Sequence, residues 1–194
     1  GRLIACSDNR HIREIIDGRH SAPIETYGFL DGAEWRLSAY AGSASGAHFT
    51  LARRGGDSHR VESPLAGAHN ALNATAAFAA ASSLGVPPAR ILSALSTFKG
   101  VKRRQEVRGE PRGITVIDDF AHHPTEVRET ISAIKERYAG RRLWAVWEPR
   151  TNSSRRNFFQ EEYPDAFLGA DRVVVAGVFR AEQVEPGRRL SPER

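Results

Sequence analysis

The sequence predicts an α/β protein built from two parts of different topology. Between Ile24 and Pro64, short alternating runs separated by glycine turns predict an antiparallel meander. Residues 67–100 predict a helix pair, because apolar positions recur at helical spacing. Beyond residue 112, apolar strands alternate with helical stretches, a pattern typical of βαβ units and a mainly parallel sheet.

The first part opens with a strand-like run, "GRLIACSD", and continues with four further strands. These four are "IETYGFL", "EWRLSAYA", "AHFTLARR" and "SHRVESP". The turns "DGA", "GSASG" and "GGD" separate them, and Asp31-Gly32 and Gly55-Gly56 are hairpin signals. We therefore expect every neighbouring pair in this meander to be antiparallel.

Two helices follow the meander. The first, "GAHNALNATAAFAAASSLG", is rich in alanine and ends at Gly85. The second, "PPARILSALSTFKG", has Pro88 in its first turn and ends at Gly100. The residues expected to face the core are Leu72, Ala76, Ala79 and Ala80 in the first helix and Ile91, Leu92, Leu95 and Phe98 in the second.

The polar stretch "VKRRQEVRGEPRG" predicts a domain boundary, so we divide the chain into residues 1–108 and 109–194. Three strands follow, "ITVIDDF", "RRLWAVWEP" and "DRVVVAGVF". The first two flank a helix with Val127, Ile131, Ile134 and Tyr138 on one face. A second helical stretch, broken before Pro164, precedes the third strand. Ligands bind at the carboxyl ends of parallel strands, and all three strands end in polar sequence.

The composition bounds the class of protein. No apolar run is long enough for a membrane span, and no signal peptide is evident. A lone cysteine fits a reducing cytoplasm. The formal charge is +5, and only three of the 28 basic residues are lysine. Arginine suits phosphate or carboxylate ligands, whereas the scattered distribution argues against nucleic acid. The absent methionine and the unfinished helix start at Ser191 predict a piece of a longer protein.

The motif "DDFAHHP" allows three interpretations. Neighbouring residues at a strand end point to opposite faces, so a metal site built from this stretch alone is poorly supported. A structural alternative has one aspartate capping the turn and one histidine satisfied in the core. The third interpretation is a nucleotide-contacting turn, in which a carboxylate accepts from ribose hydroxyls. Pro124 then starts a helix whose N-terminus favours anions.

Three further motifs carry polar side chains with a structural and a functional interpretation each. "GAHNALN" places amides on one face of a first helical turn, as caps or as readers of a nucleobase edge. "KRRQE" holds two arginines that are either solvated or a phosphate clamp between domains. "EPRTNSSRRNFF" is either an N-capped helix start with exposed arginines or a site for substrate carboxylates.

Four stretches of the chain, taken in order, resemble the Mur ligases, the ATP-dependent amide ligases of peptidoglycan synthesis. The stretches are "HNALNATAAFAAASSLGV", "FKGVKRRQE", "VIDDFAHHPTEVRETISAI" and "WEPRTNSSRRNFFQEEY". The resemblance implies the second half of a central ATP-binding domain, followed by a partial Rossmann-like domain that brings the amine substrate. The family's P-loop has no counterpart here, and its principal Mg²⁺ ligands are expected upstream. The chain alone is therefore expected to be inactive.

The resemblance also assigns roles to residues. His69, Asn70 and Asn73 match the family's adenine-side helix start. Arg104 matches an arginine that reaches the ATP phosphates, and we take it as the catalytic residue of this chain. Asp119 and His122 match groups at the ribose and the nucleotide. The residues expected to bind the peptide substrate are Arg150, Asn152 and Arg180.

The function implied first is peptidoglycan recycling, in which UDP-N-acetylmuramate is joined to L-alanyl-γ-D-glutamyl-meso-diaminopimelate through an acyl phosphate. Phe120 and "EPRTNSSRR" favour this member of the family. The alternative member adds L-alanine to the same sugar nucleotide. Either role supports cell wall biogenesis, cell shape and cell division, in a cytoplasmic monomer that uses ATP and Mg²⁺. Two rivals of other classes are a phosphate-binding module without catalysis and a metal-dependent hydrolase.

Overall fold

The computed structural model describes residues 1–18 and 22–193 and divides the chain into two compact units, Gly1–Lys99 and Gly100–Arg194. The polar segment after Lys99 therefore groups with the second unit. The two units together form a mixed α/β structure, as the sequence predicts.

The first unit contains a five-stranded sheet in the order β1-β2-β3-β4-β5. Its strands are β1 (Leu3–Cys6), β2 (Ile24–Gly28), β3 (Trp35–Ser43), β4 (Gly46–Arg53) and β5 (Ser58–Ser63). Helix α1 (Arg10–Ile16) follows β1. The β3–β4 and β4–β5 pairs are antiparallel, which confirms the predicted hairpins at "GSASG" and "GGD".

The predicted hairpin at Asp31-Gly32 is wrong, because β1, β2 and β3 pair in parallel. Only Tyr27 and Gly28 of β2 pair with β3, opposite Trp35 and Arg36. The end of β2 thus lies beside the start of β3, and the short loop only has to shift the chain sideways by one strand spacing. The turn residue Gly32 has a φ of 97° without reversing the chain.

Helices α2 (Ala68–Ser83) and α3 (Pro88–Thr97) cover this sheet. The buried residues of α2 are Ala71, Ala74, Thr75, Phe78 and Ala79. The predicted stripe was therefore offset, because a helix with alanine on most faces gives little contrast between core and solvent. In α3, Ile91 is buried and Leu92 and Leu95 pack partly, but Phe98 is exposed because the helix has already ended.

In the second unit, β6 (Glu106–Gly109) and β7 (Val116–Asp118) form one antiparallel pair, and β8 (Trp144–Trp147) and β9 (Arg172–Val175) form a parallel pair. Helix α4 (Pro124–Arg137) connects β7 to β8, and the short α5 (Tyr163–Ala166) precedes β9. The expected parallel sheet of three strands is therefore wrong in one strand. In the described residues β7 pairs with β6, which lies in the polar stretch predicted to be a domain boundary.

One face of the β8–β9 pair packs against the core, and the described part of the chain leaves the other largely exposed. Trp147 on the inner face is buried with Val127 and Ile131 of α4. On the outer face Trp144 is 56% exposed and Val146 is 75% exposed. A groove of about 700 Å³ lies beside them, lined from both β7 and β8. Buried parallel strands are apolar on both faces.

Candidate functional site

The turn after β7 is organised by Asp119. Its Oδ2 accepts a hydrogen bond from the N–H of Gln105 at 2.8 Å, and its Oδ1 accepts from the N–H of Ala121 at 2.7 Å. Thr130 of α4 adds a weaker bond to Oδ1 at 3.4 Å. Each carboxylate oxygen can accept more than one hydrogen bond, so a ribose contact remains compatible with this structural role.

The two histidines after this turn make different contacts. His123 is the N-cap of α4, where its Nδ1 accepts from the N–H of Thr125 and Glu126 completes a capping box. His122 Nδ1 lies 3.0 Å from the Phe120 carbonyl oxygen and 3.2 Å from Glu126 Oε2. When Nδ1 carries the proton toward these oxygens, the neutral ring has Nε2 as an acceptor.

The electrostatics of this cap are set by burial and by backbone donors. Burial alone raises the pKa of Glu126, but hydrogen bonds from the N–H groups of His122 and His123 outweigh it, and the pKa falls below its ordinary value. Tyr163 donates to the His122 carbonyl oxygen at 2.7 Å. Burial, with the charges of Glu126 and Glu162, raises the pKa of Tyr163 to about 12, so this donor stays protonated at neutral pH.

Two arginines of "KRRQE" lie over the Phe120 ring. The guanidinium Cζ of Arg103 is 4.9 Å from the ring centroid, and that of Arg104 is 5.9 Å away. The Nε of Arg103 is also 3.8 Å from Asp118 Oδ2. The N–H of Phe120 donates to the Arg103 carbonyl oxygen at 2.9 Å, which ties the segment to the turn. The structure therefore brings Arg104, Asp119 and His122 to one region of the second unit.

In the first unit, the predicted adenine-side residues lie on the first turns of α2. The N-cap is Gly67, with a φ of 99°, and no side chain among the described residues caps the helix. Asn70 and Asn73 are therefore not caps. The Nδ2 of Asn70 donates to the Ala66 carbonyl oxygen at 2.7 Å. Asn73 is exposed and His69 is half-buried.

The loops that follow β8 and β9 meet at Phe179. The Cζ of Arg150 lies 4.2 Å from the Phe179 ring centroid, and the Cζ of Arg180 lies 5.1 Å from it. This convergence agrees with the expectation that carboxyl ends of parallel strands share one edge. Asn152 does not join them, because its Oδ1 accepts from Arg156 Nε at 3.3 Å.

Three residues of these clusters were not predicted from the sequence: Glu126, Tyr163 and Phe179. Glu126 and Tyr163 look like an ordinary helix residue and a core aromatic until the fold places both at His122. The capping-box spacing from His123 to Glu126 could have indicated the first. Phe179 ends an apolar run, and nothing in the sequence signals that two arginines lie on its ring.

The described residues contain neither a metal-binding cluster nor a membrane-spanning helix. Among residues 1–18 and 22–193, no three His, Cys, Asp or Glu side chains converge in a way that could hold a metal ion. Asp118, Asp119, His122 and His123 thus do not form a cluster that fits Mg²⁺ or a hydrolytic metal. Within the same residues, no helix has the length and apolar character needed to cross a membrane.

Two family models match the chain, and each match lies within one of the two structural units. The Mur ligase middle domain matches residues 1–81, and the Mur ligase glutamate ligase domain matches residues 103–191. Strand β6, the turn at Asp119 and the Phe179 loops all lie in the second match. The chain belongs to the Mur ligase family.

Two curated relatives are similar in sequence over most of this chain. UDP-N-acetylmuramate–L-alanine ligases of Nitrobacter hamburgensis and Paenarthrobacter aurescens are each 38% identical, covering 93% and 94% of this chain. The chain spans 40% of the length of either relative.

Solved structures of three family members are similar to this one. UDP-N-acetylmuramate–alanine ligase MurC from Thermotoga maritima is 28% identical with a TM-score of 0.70, over 82% of this chain and 35% of that one. The murein peptide ligase of Psychrobacter arcticus is 31% identical with a TM-score of 0.65, over 90% and 37%. MurF from Acinetobacter baumannii is 26% identical with a TM-score of 0.76, over 91% and 39%.

Proposed function

We propose that the full-length protein is an ATP-dependent ligase that joins the carboxyl group of UDP-N-acetylmuramate to the amino group of L-alanine. The observation that carries this proposal is the 38% identity to relatives named UDP-N-acetylmuramate–L-alanine ligase. These relatives support the alternative of the sequence analysis over its first expectation.

A second candidate uses the same sugar nucleotide but takes L-alanine as the first residue of the murein tripeptide. Phe120 and the "EPRTNSSRR" loop favour it, as does the similarity to a murein peptide ligase over 90% of the chain. In both candidates an alanine amine attacks the muramate carboxyl carbon. The candidates differ in whether the alanine carboxylate is free or part of a peptide bond.

In this proposal the chain supplies parts of two binding regions. His69, Asn70 and Asn73 contact adenine, and Asp119 and His122 contact the ribose side of ATP. Backbone donors hold the Asp119 carboxylate and Glu126 holds the His122 ring, so both side chains are oriented before a nucleotide binds. Oriented groups lower the cost of assembling a site.

The chemistry has two steps. A muramate carboxylate oxygen bonds to the γ-phosphorus of ATP as the bond to ADP breaks, and an acyl phosphate forms. The amine nitrogen then bonds to the acyl carbon, loses a proton, and phosphate leaves. Arg104 contributes positive charge where the phosphate negative charge spreads. We assign no step to Mg²⁺, because no three His, Cys, Asp or Glu side chains among the described residues converge to hold it.

The test uses purified full-length protein with UDP-N-acetylmuramate, ATP and either L-alanine or the tripeptide. Mass spectrometry identifies the sugar-nucleotide product, and phosphate release gives the rate. Preference for L-alanine supports the first candidate, and preference for the tripeptide supports the second. ATP binding without either product would leave a phosphate-binding module. We expect residues 1–194 alone to form no product, since the sequence has no P-loop.

Arg104→Lys tests the phosphate contact within the same enzyme. Lysine keeps the charge but loses the planar fork, so we expect kcat to fall on the order of 100-fold. Arg103→Lys is the matched control: its partners are Asp118 and Phe120, and the loss should be small. Equal, wild-type turnover in both variants would remove Arg104 from the ATP site.

A further inference from the structure

The loop after β8 and the loop after β9 are joined at a single aromatic side chain. The N–H of Phe179 donates to the Pro149 carbonyl oxygen at 3.0 Å, so the backbones of the two loops are fixed to each other. The ring of Phe179 then contacts the guanidinium groups of Arg150 and Arg180. One residue thus connects both arginines, which lie 30 positions apart in the sequence.

We infer that Phe179 is a positioning residue that holds Arg150 and Arg180 as a site for a carboxylate of the amine substrate. The inference rests on the proposed ligase function and adds a determinant of substrate choice to it. Arginine side chains are flexible, and an aromatic face restricts a guanidinium to a few orientations. Oriented guanidinium groups bind a planar carboxylate in preference to a neutral amide.

The present partner of Arg150 does not compete strongly with such a ligand. Its Nη1 lies 3.1 Å from Glu148 Oε2, but the two side chains are 59% and 43% exposed. Ion pairs this exposed are weak and exchange with solvent. A substrate carboxylate can therefore bind the free N–H groups of the fork, or replace Glu148, without a buried charge being left alone.

The backbone at Arg180 provides a second indication. Its φ and ψ are both 49°, which is the left-handed region that non-glycine residues seldom adopt. This conformation turns the chain from the strand end into the 3-10 turn Ala181–Gln183. Residues in such conformations cluster at active sites and ligand-binding sites, although Ala39 and Arg112 also have a positive φ in this chain.

The prediction concerns discrimination between an acid and its amide. Wild-type full-length enzyme should couple L-alanine in strong preference to L-alaninamide. Phe179→Leu keeps an apolar side chain but removes the ring, so both guanidinium groups lose their support. We expect the KM for L-alanine to rise about tenfold, with kcat and the KM for ATP unchanged. The preference over L-alaninamide should fall by the same factor.

Two further variants separate positioning from simple structural damage. Phe179→Tyr retains the ring and should restore the wild-type KM and preference. Tyr138→Leu is the matched control, because the Tyr138 ring also has two arginines, Arg137 and Arg141, each at 5.6 Å. Tyr138 ends α4, ahead of β8, and has no place in the carboxylate site. Its variant should leave the preference unchanged.

The outcomes are distinct. If the wild type couples L-alanine and Phe179→Leu keeps the wild-type KM and preference, the inference is wrong while the ligase function stands. If only the tripeptide is coupled, the variants are compared with the tripeptide and its carboxamide form, and the same ratios decide. If no amine is coupled, the proposed function and the inference both fail.

Discussion

Asp119 shows how one residue can serve the structure and a ligand together. Its carboxylate accepts the N–H groups of Gln105 and Ala121, and so connects the segment that carries Arg103 and Arg104 to the turn before α4. A carboxylate that organises backbone around itself is also fixed in place for a substrate. The two interpretations of "DDFAHHP" that the sequence left open, structural and nucleotide-contacting, are therefore compatible.

Replacement of Asp119 by alanine should affect both roles. Two backbone N–H groups lose their acceptor, so we expect the free energy of unfolding to fall by about 1–3 kcal/mol. Urea unfolding of the purified protein measures this change. In full-length enzyme the KM for ATP should rise as well. A destabilised variant with an unchanged KM for ATP would limit Asp119 to its structural role.

The site residues differ in how far the sequence could predict them. Arg150 and Arg180 follow two parallel strands, and the rule that strand ends converge was sufficient to place them at one edge. Asn152 lies in the same loop as Arg150, yet its Oδ1 accepts from Arg156, because the direction of a loop side chain depends on turn geometry. The contacts of Phe179 could not be predicted, since they join two loops that are distant in the sequence.

At the scale of elements, the start of α4 is stabilised by side chains of the turn and of its own first residues. His123 and Glu126 form its capping box, and Glu126 also lies beside the His122 ring. The same carboxylate therefore satisfies the helix terminus and orients a predicted nucleotide contact. Its lowered pKa means that it stays ionised throughout the neutral range.

Glu126 should make stability depend on pH. Its pKa in the folded protein is below the unfolded value, so its contribution is complete above the ordinary carboxyl pKa of about 4.3 and is lost as the pH falls through the folded value. Glu126→Gln removes this dependence and retains the cap geometry. We expect a loss below about 1 kcal/mol at pH 7, because the group is partly exposed. Urea unfolding between pH 3 and 7 should show the two proteins converging under acidic conditions.

Two glycines in the hairpins of the first unit give a matched pair of predictions. Gly46 has a φ of 127°, and a Cβ there would lie 2.1 Å from the Ser63 carbonyl oxygen. Gly46→Ala should cost at least about 2 kcal/mol. A Cβ on Gly56 would meet only ordinary contacts, the nearest at 3.5 Å, so Gly56→Ala should stay within about 0.5 kcal/mol of the parent. Thermal unfolding measures both, and similar losses would contradict the steric argument.

The errors at this scale have physical causes. Strand positions followed from residue pattern, but pairing direction did not, because a staggered parallel pair needs no longer loop than a hairpin. Strand β6 was missed because four residues with two charges carry almost no strand signal. These elements depend on contacts with partners that lie far away in the sequence.

At the scale of the whole molecule, the two units differ in how completely they bury their apolar surface. The first has one core between its sheet and its two longer helices. The second has a comparable core on one side of β8 and β9, but a bare outer face around Trp144 and Val146. A patch of this kind marks a surface that other protein can cover.

Val146→Lys tests whether this face is bare in residues 1–194. Because the side chain is largely exposed, the free energy of unfolding should stay within about 0.5 kcal/mol of the parent. Binding of a hydrophobic dye should decrease. The same substitution in the full-length protein shows whether the face is covered there, since a covered position would lose at least about 2 kcal/mol. A large loss in residues 1–194 would contradict the bare face.

The unequal burial of the three tryptophans gives each unit its own optical reporter. Trp35 is 4% exposed in the first unit, and Trp147 is 8% exposed in the second, whereas Trp144 faces solvent. With Trp144 and Trp147 replaced by phenylalanine, fluorescence emission would follow the first unit alone. With only Trp35 replaced by phenylalanine, fluorescence emission would follow the second unit. If the two unfolding curves coincide, the molecule unfolds as one cooperative unit. If they separate, the two structural units unfold independently.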